Sequence, residues 1–137
     1  MREMQETLHP MLVHFHIGLL ATAFGFEVVG AWRRHAGLRQ AAFYMLIVGF
    51  LGLLVSVPSG LWAAALPSMS KSALVHTHWN LGIATAAVLV VVVALRVMLA
   101  RGTNPRPRVA AAYAVLLACG VALMALTGYY GARVVWG

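Results

Sequence analysis

Charge is what this chain has least of. Ten basic and three acidic residues make up 9% of its 137 positions, while 62% are hydrophobic and the mean hydropathy is +0.86. No soluble domain of this length needs so much apolar surface, so the solvent implied for the fold is lipid. Cysteine is nearly absent. Cys119 stands alone in an apolar run, which excludes an internal disulfide and reads as a small packing residue. No cleavage site of small residues follows the N-terminal stretch, and Met1–Pro10 carries Glu3 and Glu6 as well as Arg2. A cleaved leader is therefore not expected.

Four apolar windows are present, each long enough to cross a hydrocarbon core of roughly 30 Å at ~1.5 Å per helical residue. They run near Met11–Trp32, Ala41–Leu66, Ala73–Leu95 and Val109–Ala132, and the second and fourth carry no charge. The expected fold is all-α: an integral membrane four-helix bundle, one domain over residues 1–137, built as two hairpins (9–68 and 71–136). The net charge of +7 does not indicate nucleic acid once its placement is read. Arg33, Arg34, Arg39, Arg96, Arg101, Arg106 and Arg108 fall toward the first and third connections, against Arg2, Lys71 and Arg133 on the other side. That positive-inside bias predicts both termini on the periplasmic side of a bacterial inner membrane, with the arginines meeting anionic lipid on the other. Glycines and alanines supply close-packing surfaces, and none of the glycines forms a phosphate-binding loop.

Leu12-Val13-His14-Phe15-His16 returns as Leu74-Val75-His76-Thr77-His78, each copy followed by a Gly and an Ala-Thr-Ala. Four of the six histidines lie in these copies, all within about 10 Å of the outer boundary by helical rise. Histidines just inside a span are costly to bury and mark function. Their duplication suggests two imidazoles meeting across a pseudo-two-fold axis, as at the interface of parallel membrane repeats. Residues two apart on a helix point about 200° apart, so only one member of each pair can face the bundle. The first-position pair, His14 with His76, is the expected ligand set for a b-type haem, with His16 and His78 as the other candidates. Asn80, four residues after His76, is placed to orient it. A copper or zinc site is the alternative and could draw in His9, seven residues from His16, although His9 precedes the expected span.

Pro10 sits where the first turn of span one tolerates it, and Pro58-Ser59-Gly60 predicts a bend in span two. Trp79, Trp62, Phe15 and Phe26 could line a porphyrin slot or simply face lipid. Glu27, near the inner end of span one, is expected to pair with Arg33 or Arg34, or else to handle protons beside a quinone.

His9-Pro10-Met11-Leu12-Val13-His14-Phe15, with Phe26-Glu27 later in the span, resembles the opening of the domain of unknown function 2231 family of small bacterial membrane proteins. His76 with Asn80 and Gly128-Tyr129-Tyr130-Gly131-Ala132 are similar to its third-span and closing segments. The resemblance implies a four-span layout in which His9, His14, Glu27, His76 and Asn80 are the family-type positions. His16, where a proline is usual, and Ala63, where an acidic residue is common, depart from the pattern. The family implies no activity, so the functional expectation rests on the histidines. It is an electron-transfer subunit with one bis-histidine haem, working with a periplasmic redox protein, a quinone and other membrane subunits or a second copy. A cofactor-free accessory subunit is the alternative from another class, and a stand-alone enzyme is the less expected outcome.

Overall fold

A computed structural model describes residues 2–64, 73–102 and 107–136. Among them are four α-helices: α1 (Arg2–Trp32), α2 (Ala36–Ala64), α3 (Ala73–Arg101) and α4 (Pro107–Trp136). All four are long and apolar enough to cross a membrane, over Leu8–Trp32, Ala36–Ala63, Ala73–Arg101 and Pro107–Val134. No strand occurs among the described residues. Lys71, Arg106 and most of the turn-rich segment before Pro107 lie outside them.

Two hairpins make the bundle. α1 packs along α2 and α3 along α4, while the hairpins touch each other along α2·α3 and α1·α4, so α1 and α3 are diagonal neighbours. The first hairpin turns through Arg33, Arg34 and His35. His35 N–H reaches Gly30 O at 2.8 Å and Arg34 N–H reaches Ala31 O at 3.3 Å, which closes α1 with a Schellman motif. Arg34 takes the left-handed position with φ 53°, where glycine is usual. His35 then caps α2 by accepting the Leu38 N–H on its Nδ1 at 3.2 Å.

Leu20, Leu46, Leu53, Leu89, Val92, Leu117 and Met124 form the buried core, and large apolar side chains such as Leu51, Val91 and Val115 face outward. Such an inside-and-outside apolar surface is what a lipid solvent allows. Glycine brings the helices together at particular contacts. A Cβ on Gly49 would lie 2.9 Å from Leu20 Cγ, so Leu20 occupies the space a side chain would need.

These contacts reveal the register of the internal repeat. Leu20 sits against Gly49 as Leu89 sits against Gly120; His9 sits against Gly60 as His78 sits against Gly131. His16 meets Ser56 as Thr85 meets Thr127. In each case α3 follows α1 by 69 residues, and α4 follows α2 by 71. The sequence motif aligns His14 with His76, a shift of 62. The packing repeat is therefore displaced from the motif by seven residues, two helical turns, which preserves the face but moves the level by about 10 Å.

One further sequence expectation changes. Helix α1 does not start at Pro10; it runs through it from Arg2, so His9 is helical. Helix α2 carries Pro58 inside it and continues to Ala64, so Pro58-Ser59-Gly60 does not end the helix.

Candidate functional site

At the end of the bundle that carries both termini, α1 and α3 project histidines inward. His9 and His16 are seven apart on a continuous helix and share its inner face; His16 is buried and His9 half-buried. His78 projects from α3, and the rings of His9 and His78 meet across the diagonal with centroids 6.1 Å apart and planes at 82°. A Cβ on Gly60 or Gly131 would approach His9 Cε1 or His78 Cε1 to 2.9 Å, so a side chain at either glycine would push the ring from its present place.

Carbonyl acceptors require Nδ1–H at His16 and His78, and the serine network favours the same tautomer at His9. Ser59 Oγ donates to Ser56 O at 2.7 Å, so its contact with His9 Nδ1 at 2.9 Å is one in which the imidazole donates. Ser56 Oγ donates to Gly52 O at 2.9 Å, so His16 Nδ1–H donates to that oxygen at 2.9 Å, shared with Leu12 O at 3.2 Å. His78 Nδ1–H donates to Thr127 O at 2.8 Å, since a carbonyl can only accept. In the neutral state each of these rings therefore keeps its lone pair on Nε2. That is the second-layer arrangement that prepares an imidazole as a metal ligand.

His14 and His76 are not brought together. Both are exposed, on the faces turned about 200° from His16 and His78, and His14 Nδ1–H donates back to Pro10 O at 2.6 Å within its own helix. Asn80 is exposed on the His76 side of α3. Phe15 and Trp62 are exposed, while Phe26 and Trp79 are half-buried. Among the described residues, no group of three or more His, Cys, Asp or Glu is placed to hold a metal ion.

The opposite end holds an ion cluster. Glu27 Oε1 accepts from Arg39 Nε at 3.2 Å, and its Oε2 faces Arg96 Nε at 3.7 Å. Arg96 also donates from Nη2 to Arg39 O at 2.9 Å and lies over the Phe43 ring at 5.1 Å. The pairing expected for Glu27 exists, but with other partners. Arg33 and Arg34 belong to the exposed turn, whereas Arg39 returns on α2 beside Glu27. Gly30 permits that return: its Cβ would lie 2.8 Å from Arg39 Cγ. In the repeat register Glu27 corresponds to Arg96, so both diagonal contacts, His9 with His78 and Glu27 with Arg96, join equivalent positions.

Sequence reading passed over Ser56 and Thr127 and took Ser59 only as part of a bend. Their signal was present as hydroxyls within long apolar runs, together with the seven-residue spacing of His9 and His16. A family model described as "Predicted membrane protein (DUF2231)" matches residues 5–137. No curated protein and no solved structure matches the chain.

Proposed function

The chain belongs to this family of predicted membrane proteins, and on that premise we propose that it is a membrane-embedded electron-transfer subunit, like a b-type cytochrome, with one haem at the histidine end. The observation carrying this reading is the diagonal meeting of His9 and His78 at 6.1 Å. With a metal–nitrogen bond of about 2.0 Å, an imidazole centroid stands about 3 Å from its metal. Two imidazoles facing one centre are thus about 6 Å apart.

The residues fit the group in three respects. Their Nδ1–H groups are committed to Ser59 and Thr127, leaving Nε2 for the iron. Gly60 and Gly131 let the two rings lie close against α2 and α4 in one layer. Arg133, exposed toward the same end, offers a positive charge to an acidic haem substituent. His9 and His78 take the ligand role first assigned to His14 and His76. Bound there, haem supplies reversible one-electron transfer. Ser59 and Thr127 fix ring orientation and tautomer, and the apolar helices below keep water from the layer.

In this reading the histidine end faces the periplasm of a bacterial inner membrane, a periplasmic redox protein and a quinone are the exchange partners, and other membrane subunits or a second copy complete the assembly. A histidine-bound copper or zinc ion is the second reading. Favouring it, the two rings already fill the space over Gly60 and Gly131, so a single ion displaces less than a macrocycle.

Oxidised and dithionite-reduced absorption spectra, with metal analysis, test both. Purified protein is expected to show a reduced b-type α-band that His9→Ala or His78→Ala abolishes and His14→Ala or His76→Ala leaves in place. Stoichiometric copper or zinc without haem selects the second reading. Folded protein with neither overturns both and leaves a cofactor-free accessory subunit.

A further inference from the structure

The arginine end contains a cavity of about 380 Å³, lined in part by Arg39, Gln40, Arg96 and Ala110. Ala36 and Pro107, the first residues of α2 and α4, also line it, so two helix N-termini open onto the same space. Three observations give this cavity a sign. First, the cluster beside it sets two guanidinium groups against the single carboxylate of Glu27. Second, Arg96 is 7% exposed, and its Nε and the Glu27 Oε2 that it faces at 3.7 Å are both buried short of a hydrogen bond, so this ion pair is loosely closed. Glu27 offsets one guanidinium, and the second positive charge, half-exposed on Arg39, is left at the mouth of the cavity.

The third observation comes from the repeat. In the packing register Arg39 corresponds to Ala110, and Glu27 to Arg96. Glu27 has Arg39 as its oppositely charged neighbour from its hairpin partner helix. Arg96, at the equivalent place in the second hairpin, has Ala110 where the first hairpin has Arg39, and the cavity lies there. Glu27 serves both arginines, and the other two acidic residues of the sequence, Glu3 and Glu6, belong to the start of α1, so no second carboxylate side chain is supplied to this end.

We propose that this cavity binds a phosphate-type oxyanion, held between Arg39 and Arg96. The same chemistry is offered by the headgroup of an anionic phospholipid and by free phosphate. Guanidinium groups suit it because their N–H forks match tetrahedral oxyanions. The site is separate from the histidine end and does not depend on a cofactor there.

Thermal unfolding and native mass spectrometry of delipidated protein in an uncharged detergent test the proposal. Phosphatidylglycerol, inorganic phosphate, an uncharged galactolipid and chloride serve as probes. Phosphatidylglycerol or phosphate is expected to raise the midpoint and to be retained as bound mass, unlike galactolipid or chloride. Phosphate alone sufficing identifies a free-anion site; a response only to phosphatidylglycerol identifies a headgroup site. Arg39→Gln is expected to weaken binding roughly tenfold or more, as for loss of a charge-assisted hydrogen bond. Ala110→Phe fills the cavity without changing charge and is expected to do the same, which also covers an Arg39→Gln protein that fails to fold. Equal responses to all four probes, or undiminished binding by folded Ala110→Phe, overturn the proposal; the latter would mean attraction to the basic surface as a whole.

Discussion

Glu27 shows how a single ionised side chain is tolerated inside a bundle of this kind. Its side chain is 10% exposed and that of Arg96 is 9% exposed, so neither has water as an alternative partner. Arg39, at 47%, is the wet member and contributes less. Removing one member of a buried pair leaves the other uncompensated, whereas replacing both with apolar groups does not. Glu27→Gln is therefore expected to destabilise the protein by on the order of 3 kcal/mol. The double replacement Glu27→Met with Arg96→Met should recover most of that loss. Denaturant titration in detergent measures both; equal stability of wild type and Glu27→Gln would show that the pair adds nothing. Either replacement should leave any chromophore of the histidine end unchanged, because Glu27 lies eighteen residues from His9, about 27 Å along the helix by the rise per residue.

Helix ends and helix phase decide which of the histidines matter. The turn after α1 closes through Arg34 at φ 53°, a conformation that costs a residue with a Cβ about 1 kcal/mol or more. Arg34→Gly should accordingly raise stability by about 0.5–1 kcal/mol, read as a higher thermal midpoint with unchanged helicity. A lower midpoint would mean that the exposed guanidinium contributes more than the backbone strain removes. The same level of structure shows what was legible in the chain. Four helices and their approximate spans followed from apolar length, and the inward or outward choice within each HxH pair followed from the 100° helical step. The chosen member did not. Reading Pro10 as a helix start removed His9 from the helix, although a proline two turns into a long apolar helix can be carried by the packing that follows. The LVHxH motif then fixed the repeat at the wrong level, because a shift of one heptad leaves the same faces aligned. Only inter-helix contacts, such as Leu20 on Gly49 and Leu89 on Gly120, distinguish one heptad from the next.

For the whole molecule, lipid as solvent accounts for both the apolar exterior and the confinement of polar groups to the two ends. One end holds the histidines with their serine and threonine partners, and the other holds Glu27 with its arginines. Composition made this membrane setting legible, yet the cavity at the arginine end had no signal in the sequence, since it depends on Ala110 standing where Arg39 stands in the first half. Charge gives an expected orientation for the molecule. Among the described residues, Arg33, Arg34, Arg39, Arg96, Arg101 and Arg108 lie at or near the end where α1 meets α2, against Arg2 and Arg133 toward the other. Moving that many guanidinium groups across a membrane during insertion is opposed by their hydration and by the membrane potential, so the arginine end should remain cytoplasmic. Cys119 is exposed in the middle of α4 and must first be removed as Cys119→Ala. In that background, Met4→Cys and Ser70→Cys should react with an impermeant thiol reagent applied to intact cells, and Gly37→Cys should react only after the membrane is permeabilised. The reverse pattern would put the histidine layer at the cytoplasmic face, and a periplasmic electron donor could then no longer be its partner.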